Sequence, residues 1–146
     1  MNAATLVIAV APHLDDLPRV NTLLKEFCSE QDLDDKVLFQ LDLILDELLS
    51  NTIRYGFEAV EVTPAIWLRL ERRSDRVVVT VKDNGVAFDP RLKAAPETIR
   101  PDQPLGGYGI HLVKNMADEI NYWRRNGWNC LQVVVRVAPP AETNSS

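Results

Sequence analysis

The spacing of apolar residues along this chain changes several times, and each change marks an element. Thr5 to Ala11 are apolar and mostly β-branched or small, which predicts a strand ended by Pro12. From about Asp15 to Glu30, Leu17, Val20, Leu23, Leu24 and Phe27 recur at intervals of three and four, the pattern of an amphipathic helix. The polar break Asp32 to Asp35 supplies N-cap candidates for a second helix, about Lys36 to Tyr55. Val37, Leu41, Ile44, Leu45 and Leu48 share one face of it, and Gly56 is its stop signal.

Alternation then takes over. Between Ala65 and Glu71, Ile66, Leu68 and Leu70 alternate with Trp67, Arg69 and Glu71, a strand with one covered face. Arg72 to Asp75 make a polar turn into a second strand, Arg76 to Lys82, whose valine run predicts deeper burial. Pro90 to Pro104 hold four prolines and no period, so they read as a long loop. A helix from Gly109 to about Asp118 follows, then a hairpin of Glu119–Arg125 and Cys130–Val137 turning at Asn126-Gly127. The Pro/Ser/Thr-rich residues 139–146 read as a disordered tail after a single domain, 1–138.

The order β-α-α-β-β-loop-α-β-β buries every apolar stripe if three helices cover one face of one sheet. The expected fold is α+β, a two-layer sandwich with a mostly antiparallel, mixed sheet. The 146 residues are enough for one real core, and a net charge of −5 argues against a broad nucleic-acid-binding face. Cys28 and Cys130 lack C-x-x-C spacing and read as buried thiols in a reducing compartment. Neither a signal pattern nor a membrane-length apolar run is present, which leads to the expectation of a cytoplasmic protein without a membrane partner.

Three short stretches carry chemistry. Leu105-Gly106-Gly107-Tyr108-Gly109-Ile110 places three glycines directly before a helix start. Glycine permits close backbone approach, and the unpaired amides of a helix N-terminus attract phosphate. A tight turn would use the same residues. On the second helix, Glu47 and Asn51 are one turn apart and project together from the shoulder of the apolar stripe. They serve either as a polar flank or as a pair in which the Asn51 oxygen binds Mg²⁺ and Glu47 accepts a proton. Asp46 lies on another side of the helix and is the weaker base candidate. Asp83-Asn84-Gly85 closes a strand. It is either a simple turn or a site where Asp83 accepts from adenine's amine, Gly85 gives access to the ring and Phe88 walls it.

Taken together, E-x-x-x-N, D-x-G-x-x-F-D and G-G-x-G-I-x-L-V resemble the ATP-binding fold of gyrase, heat-shock chaperones, histidine kinases and mismatch-repair proteins, the GHKL or Bergerat fold. Within it the chain is most similar to the RsbW-type anti-sigma-factor serine/threonine kinases of bacterial partner switching, over about residues 5 to 137. The resemblance implies ATP and Mg²⁺ as cofactors, with Asn51 on the metal and Glu47 as general base. Asp83, Gly85 and Phe88 would serve adenine. Gly106, Gly107, Gly109 and Ile110 would serve the phosphates, under a lid formed by Pro90–Leu105. The implied partners are a small STAS-type antagonist, phosphorylated on serine or threonine, and a sequestered sigma factor or similar regulator. A homodimer is a further expectation, because the Thr5–Ala11 strand is apolar on both alternations and would invite pairing at an exposed edge. The competing functions are a non-catalytic ATP-binding sequestration module and a histidine-kinase-like catalytic domain acting in trans. Many relatives of the wider fold set a threonine behind the adenine; here Trp128-Asn129-Cys130 occupy that region.

Overall fold

The computed structural model describes residues 4–58, 60–92 and 113–138. In chain order these form β1 (Ala4–Val10), α1 (Leu17–Glu30), α2 (Asp35–Tyr55), β2 (Ile66–Arg72), β3 (Arg76–Asp83), β4 (Glu119–Arg125) and β5 (Trp128–Arg136). The five strands make one sheet in the order β1-β2-β3-β5-β4, and every pairing among the described residues is antiparallel. Residues 113–116 are helical and belong to the third predicted helix.

The alternation seen in the sequence becomes the two faces of this sheet. Ile8 and Val10, Ile66, Leu68 and Leu70, Val77, Val79 and Val81, and Leu131, Val133 and Val135 are buried in one core. Val20, Leu24, Phe27 and Cys28 of α1, Val37, Leu41, Ile44, Leu45, Leu48 and Leu49 of α2, and Val113 complete it. On the opposite face Val7, Trp67 and Trp123 stay 57%, 46% and 43% exposed. Among the described residues the helices lie on one face of the sheet, and the observed arrangement is an α+β two-layer sandwich.

Local signals set the element ends. Asp34 caps α2 by accepting from the Val37 amide at 2.9 Å, satisfying one of the helix's orphan donors. Helix α1 ends with Leu33 N donating to Cys28 O at 2.9 Å and Asp32 N to Ser29 O at 3.3 Å, a Schellman closure. Asp32 takes the left-handed position at φ 51°, a place tolerated by Asp because its short side chain bonds locally. Pro18 holds α1 back to Leu17, and a 3₁₀ turn at Leu14–Asp16 fills the first predicted helical residues. The β4–β5 strands reach further into their hairpin than the sequence suggests. Asn126 and Gly127 both adopt positive φ, 52° and 81°, so a two-residue turn lets Arg125 pair directly with Trp128.

Both cysteines are buried thiols, and burial pushes the Cys28 thiol up to about 11. No helix among the described residues is long and apolar enough to cross a membrane.

Candidate functional site

Helix α2 is long because residues 35–55 contain neither Gly nor Pro, and its apolar stripe is clamped between α1 and the sheet. On its half-buried shoulder Asn51 Nδ2 donates to Glu47 Oε1 at 2.8 Å. Spending the amide nitrogen on Glu47 leaves Asn51 Oδ1, a neutral oxygen ligand, for another partner. Asp46 is exposed and lines a separate cleft of about 410 Å³ between α1 and α2, with Asn21, Asp42 and mostly leucines. It does not share a face with Asn51, and Glu47 is the carboxylate paired with it.

At the C-terminus of α2 the chain stays α-helical through Gly56, at φ −67°. Glycine is needed there for space: a Cβ would stand 2.6 Å from Thr52 O. Gly56 O then accepts from the Val86 amide at 2.8 Å. This bond ties the end of α2, about 7.5 Å along the axis from Asn51, to the loop after β3. Gly85 packs on the same carbonyl, which any Cβ would meet, together with Asp83 Oδ1 at 3.0 Å. The glycine that the sequence associates with access to a base also lets two backbone segments touch.

Sheet register builds the other side of the site. Asp83 pairs with Asn129, and Asn129 with Arg124, so the three side chains form a row on the helix-covered face. Asp83 Oδ1 accepts from Gly85 N at 2.9 Å and from Asn129 Nδ2 at 3.0 Å. Asp83 Oδ2 has no hydrogen-bond partner among the described residues. Asn129, only 5% exposed, uses its second amide hydrogen on Val86 O at 2.7 Å. Its oxygen accepts from the Tyr122 hydroxyl and, at 2.9 Å, from Arg124 Nη1, with Phe88 N at 3.5 Å. Burial pushes the Asp83 carboxyl above the usual range, while the bonds from Asn129 and Gly85 and the charge of Arg124 pull it back.

The remaining predicted residues fall into two groups. The Phe88 ring is 47% exposed beside this loop. Asp89 works locally, bonding the amide and guanidinium of Arg91 in the 3₁₀ turn Pro90–Leu92, and Arg91 holds its carboxyl below the ordinary value. Asn84 bonds Ala65 N and Thr63 O, which fixes the entry to β2. Gly106, Gly107, Gly109, Ile110 and most of the Pro90–Leu105 segment lie outside the described residues. Tyr122 and Arg124 have no signal in the sequence that marks them, because what joins them to Asp83 is a register across three strands. The site can therefore offer a base a fixed carboxylate oxygen and, about 7.5 Å back along α2 from the Gly56 tie, an amide oxygen beside a second carboxylate.

Comparison with known proteins gives the family and the fold. The model of the histidine kinase-like ATPase domain family matches residues 10–135. The serine/threonine-protein kinase BtrW of Bordetella bronchiseptica is 33% identical over 106 residues, covering 71% of this chain and 74% of that protein. The serine-protein kinase RsbW of Bacillus licheniformis is 25% identical over 87 residues, 56% of this chain and 54% of its own length. Among solved structures, the RsbU and RsbW domains of Rv1364c from Mycobacterium tuberculosis align with 94% of this chain at a TM-score of 0.67 and 16% identity, using 34% of that longer chain. A blue-light activated histidine kinase domain from Erythrobacter litoralis aligns with 83% of this chain and 59% of its own, at a TM-score of 0.50 and 16% identity. The family model spans most of the chain and the fold matches, and the chain belongs to the histidine kinase-like ATPase domain family.

Proposed function

We propose that this protein is an ATP-dependent serine/threonine protein kinase that phosphorylates a small STAS-type antagonist and sequesters a sigma factor or comparable regulator. The observation that carries the reading is the Asn51–Glu47 bond, which pairs a carboxylate with an amide whose oxygen stays available. The kinase names of BtrW and RsbW point the same way. Asp83 would accept from the adenine amine through Oδ2, beside Gly85 and the Phe88 ring. Gly106, Gly107, Gly109 and Ile110 would meet the phosphates, with Pro90–Leu105 as lid. An amide oxygen suits a hard cation, so the donor set fits Mg²⁺ at Asn51 Oδ1, where the ion would spread phosphate charge. Glu47 would take the proton of the acceptor hydroxyl as that oxygen bonds the γ-phosphorus and ADP leaves.

A sequestering module that binds ATP without transfer is the second reading; the paired carboxylate on α2 favours transfer over it. In either reading β1, an edge strand of the sheet, would serve a homodimer. Incubation with labelled ATP and candidate antagonists, followed by phosphosite mapping, tests the proposal. Transfer to one serine or threonine supports it. ATP and antagonist binding with no transfer gives the function to the second reading, and GTP competing as well as ATP removes Asp83 from the base.

A further inference from the structure

Arg124 is absent from the reaction just proposed, yet its guanidinium reaches back from an exposed position near the end of β4 into the base-binding loop. Nη1 donates to Gly85 O at 3.1 Å and to Asn129 Oδ1 at 2.9 Å. The first bond spans 39 residues of sequence and belongs to no ladder of the sheet. Asn129 has both amide hydrogens committed, to Asp83 and Val86, so it has no donor left for a ligand. What it can do is transmit. A cation and a hydroxyl on its oxygen polarise the amide and strengthen the bonds its hydrogens make.

We propose that Arg124 is a positioning residue for nucleobase selectivity, holding the Asp83 carboxylate and the Gly85 carbonyl in place through the Asn129 amide. The inference rests on the reading of Asp83 as the acceptor for adenine's exocyclic amine. Asp83 Oδ1 is occupied by Asn129 and Gly85, so the angle of that pair of bonds fixes where Oδ2 points. Without Arg124 the Asn129 amide is freer to rotate and the Gly85 carbonyl loses its tether, so Oδ2 wanders. The cation also offsets the cost of keeping a buried carboxylate charged. A ligand that makes no use of the carboxylate loses nothing.

The test compares ATP with purine riboside triphosphate, which lacks only the 6-amino group, in competition against a fluorescent nucleotide. Wild type, Arg124→Met and Arg124→Lys are measured, with thermal melts to verify folding; the exposed position makes folded variants the expected result. Arg124→Met should weaken ATP by about five- to tenfold, the scale of one charge-assisted hydrogen bond acting through a neighbour. It should leave purine riboside triphosphate within about twofold, so the selectivity ratio collapses. Arg124→Lys, which keeps the charge and a single donor nitrogen but not the planar fork, should restore part of the ratio. Equal losses for both nucleotides would mean that Arg124 only braces the hairpin, and unchanged ATP affinity would also overturn the proposal. A wild type that does not distinguish the two nucleotides would overturn the adenine reading itself, a result separable from the other two.

Discussion

Glu47 and Asn51 meet because one helical turn separates them; Asp83, Asn129 and Arg124 meet because three strands are in register. The helix side of the site is local. Its two side chains stand on one shoulder of α2 wherever that helix packs, and their bond costs little more than two rotamers to form. The sheet side is non-local, and its parts come from positions 83 to 86, 122, 124 and 129. It also buries a carboxylate and an amide, so every bond in it offsets a desolvation cost. The helix side is cheap to build and half-buried, while the sheet side is costly to bury and held by more hydrogen bonds. Under the proposed function this division matches two tasks: a base that must accept and release a proton, and a reader that must not move.

The largest effect expected from breaking this comparison is on the helix side. Glu47→Gln keeps the shape and the bond to Asn51 but removes the basic carboxylate. Phosphoryl transfer should fall by about 10²–10⁴, the range of a positioned general base, while ATP affinity stays near wild type. Single-turnover transfer together with calorimetric ATP titration measures both. Wild-type transfer in the variant would leave Glu47 as a structural partner of Asn51 and move the proton elsewhere.

Asp83→Asn probes the sheet side and should separate function from stability. An asparagine can still accept through Oδ1 from Asn129 and Gly85, but its amide faces the adenine amine donor to donor. ATP affinity should fall by about 10–100-fold, the scale of a lost hydrogen bond to a charged group. Because burial raises the Asp83 carboxyl, the charged form destabilises the fold at neutral pH, so the variant should melt higher than wild type. A variant with lower stability and unchanged ATP affinity would make Asp83 a purely structural anchor.

These two sides were not equally legible. The E-x-x-x-N pair could be read from spacing alone, because an i, i+4 relation in a helix is a statement about geometry. The sheet strands were legible from alternation, down to the face that Ile66, Leu68 and Leu70 would bury. Asp83 was visible as a strand-ending acid, but not its partners. Tyr122 and Arg124 lie in a strand whose polar residues look like an ordinary solvated edge, and only the pairing β3-β5-β4 turns them toward Asp83. Gly85 was legible as a glycine that allows close approach; its packing against Gly56 was not, because that contact joins a helix end to a strand end. Asn129 stood out only as a residue at an unexpected place, and its five contacts come from two separate segments, 83–88 and 122–124.

A smaller effect should sharpen the description of the sheet side. Tyr122→Phe removes the hydroxyl from Asn129 without emptying the half-buried ring position. The loss of one hydrogen bond is worth about 1 kcal/mol, so denaturant melts should shift by about that amount. ATP affinity should drop by no more than about fivefold, because Arg124 still holds the same oxygen. A loss as large as that of Asp83→Asn would show that the hydroxyl, not the guanidinium, dominates the hold on Asn129.

The smallest effect lies outside both sides and serves as their control. Asp16 joins the end of β1 to the start of α1 by accepting from Ala11 N at 2.8 Å and pairing with Arg19 at 2.8 Å, and Arg19 in turn donates to Ala9 O. The bond from Arg19 holds the Asp16 carboxyl down at about 2 against an ordinary 3.8. A depressed carboxylate stabilises the fold above the unfolded value, and that contribution is lost as pH falls through the folded one. Asp16→Asn should therefore be slightly less stable than wild type at neutral pH, and the two melting temperatures should converge between about pH 4 and pH 2. Asp83 has the opposite sign: the advantage of Asp83→Asn should shrink on acidification because wild-type Asp83 protonates and sheds its desolvation cost. Both differences close in acid, one from below wild type and the other from above. Melts of the three proteins from neutral pH down to about pH 2 measure the signs directly, the Asp83 difference closing above the ordinary 3.8 and the Asp16 difference below it. If Asp83→Asn instead lies below wild type at neutral pH, then the bonds from Asn129, Gly85 and Arg124 outweigh the burial of the charge, and the sheet side stabilises the fold as well as reading the base.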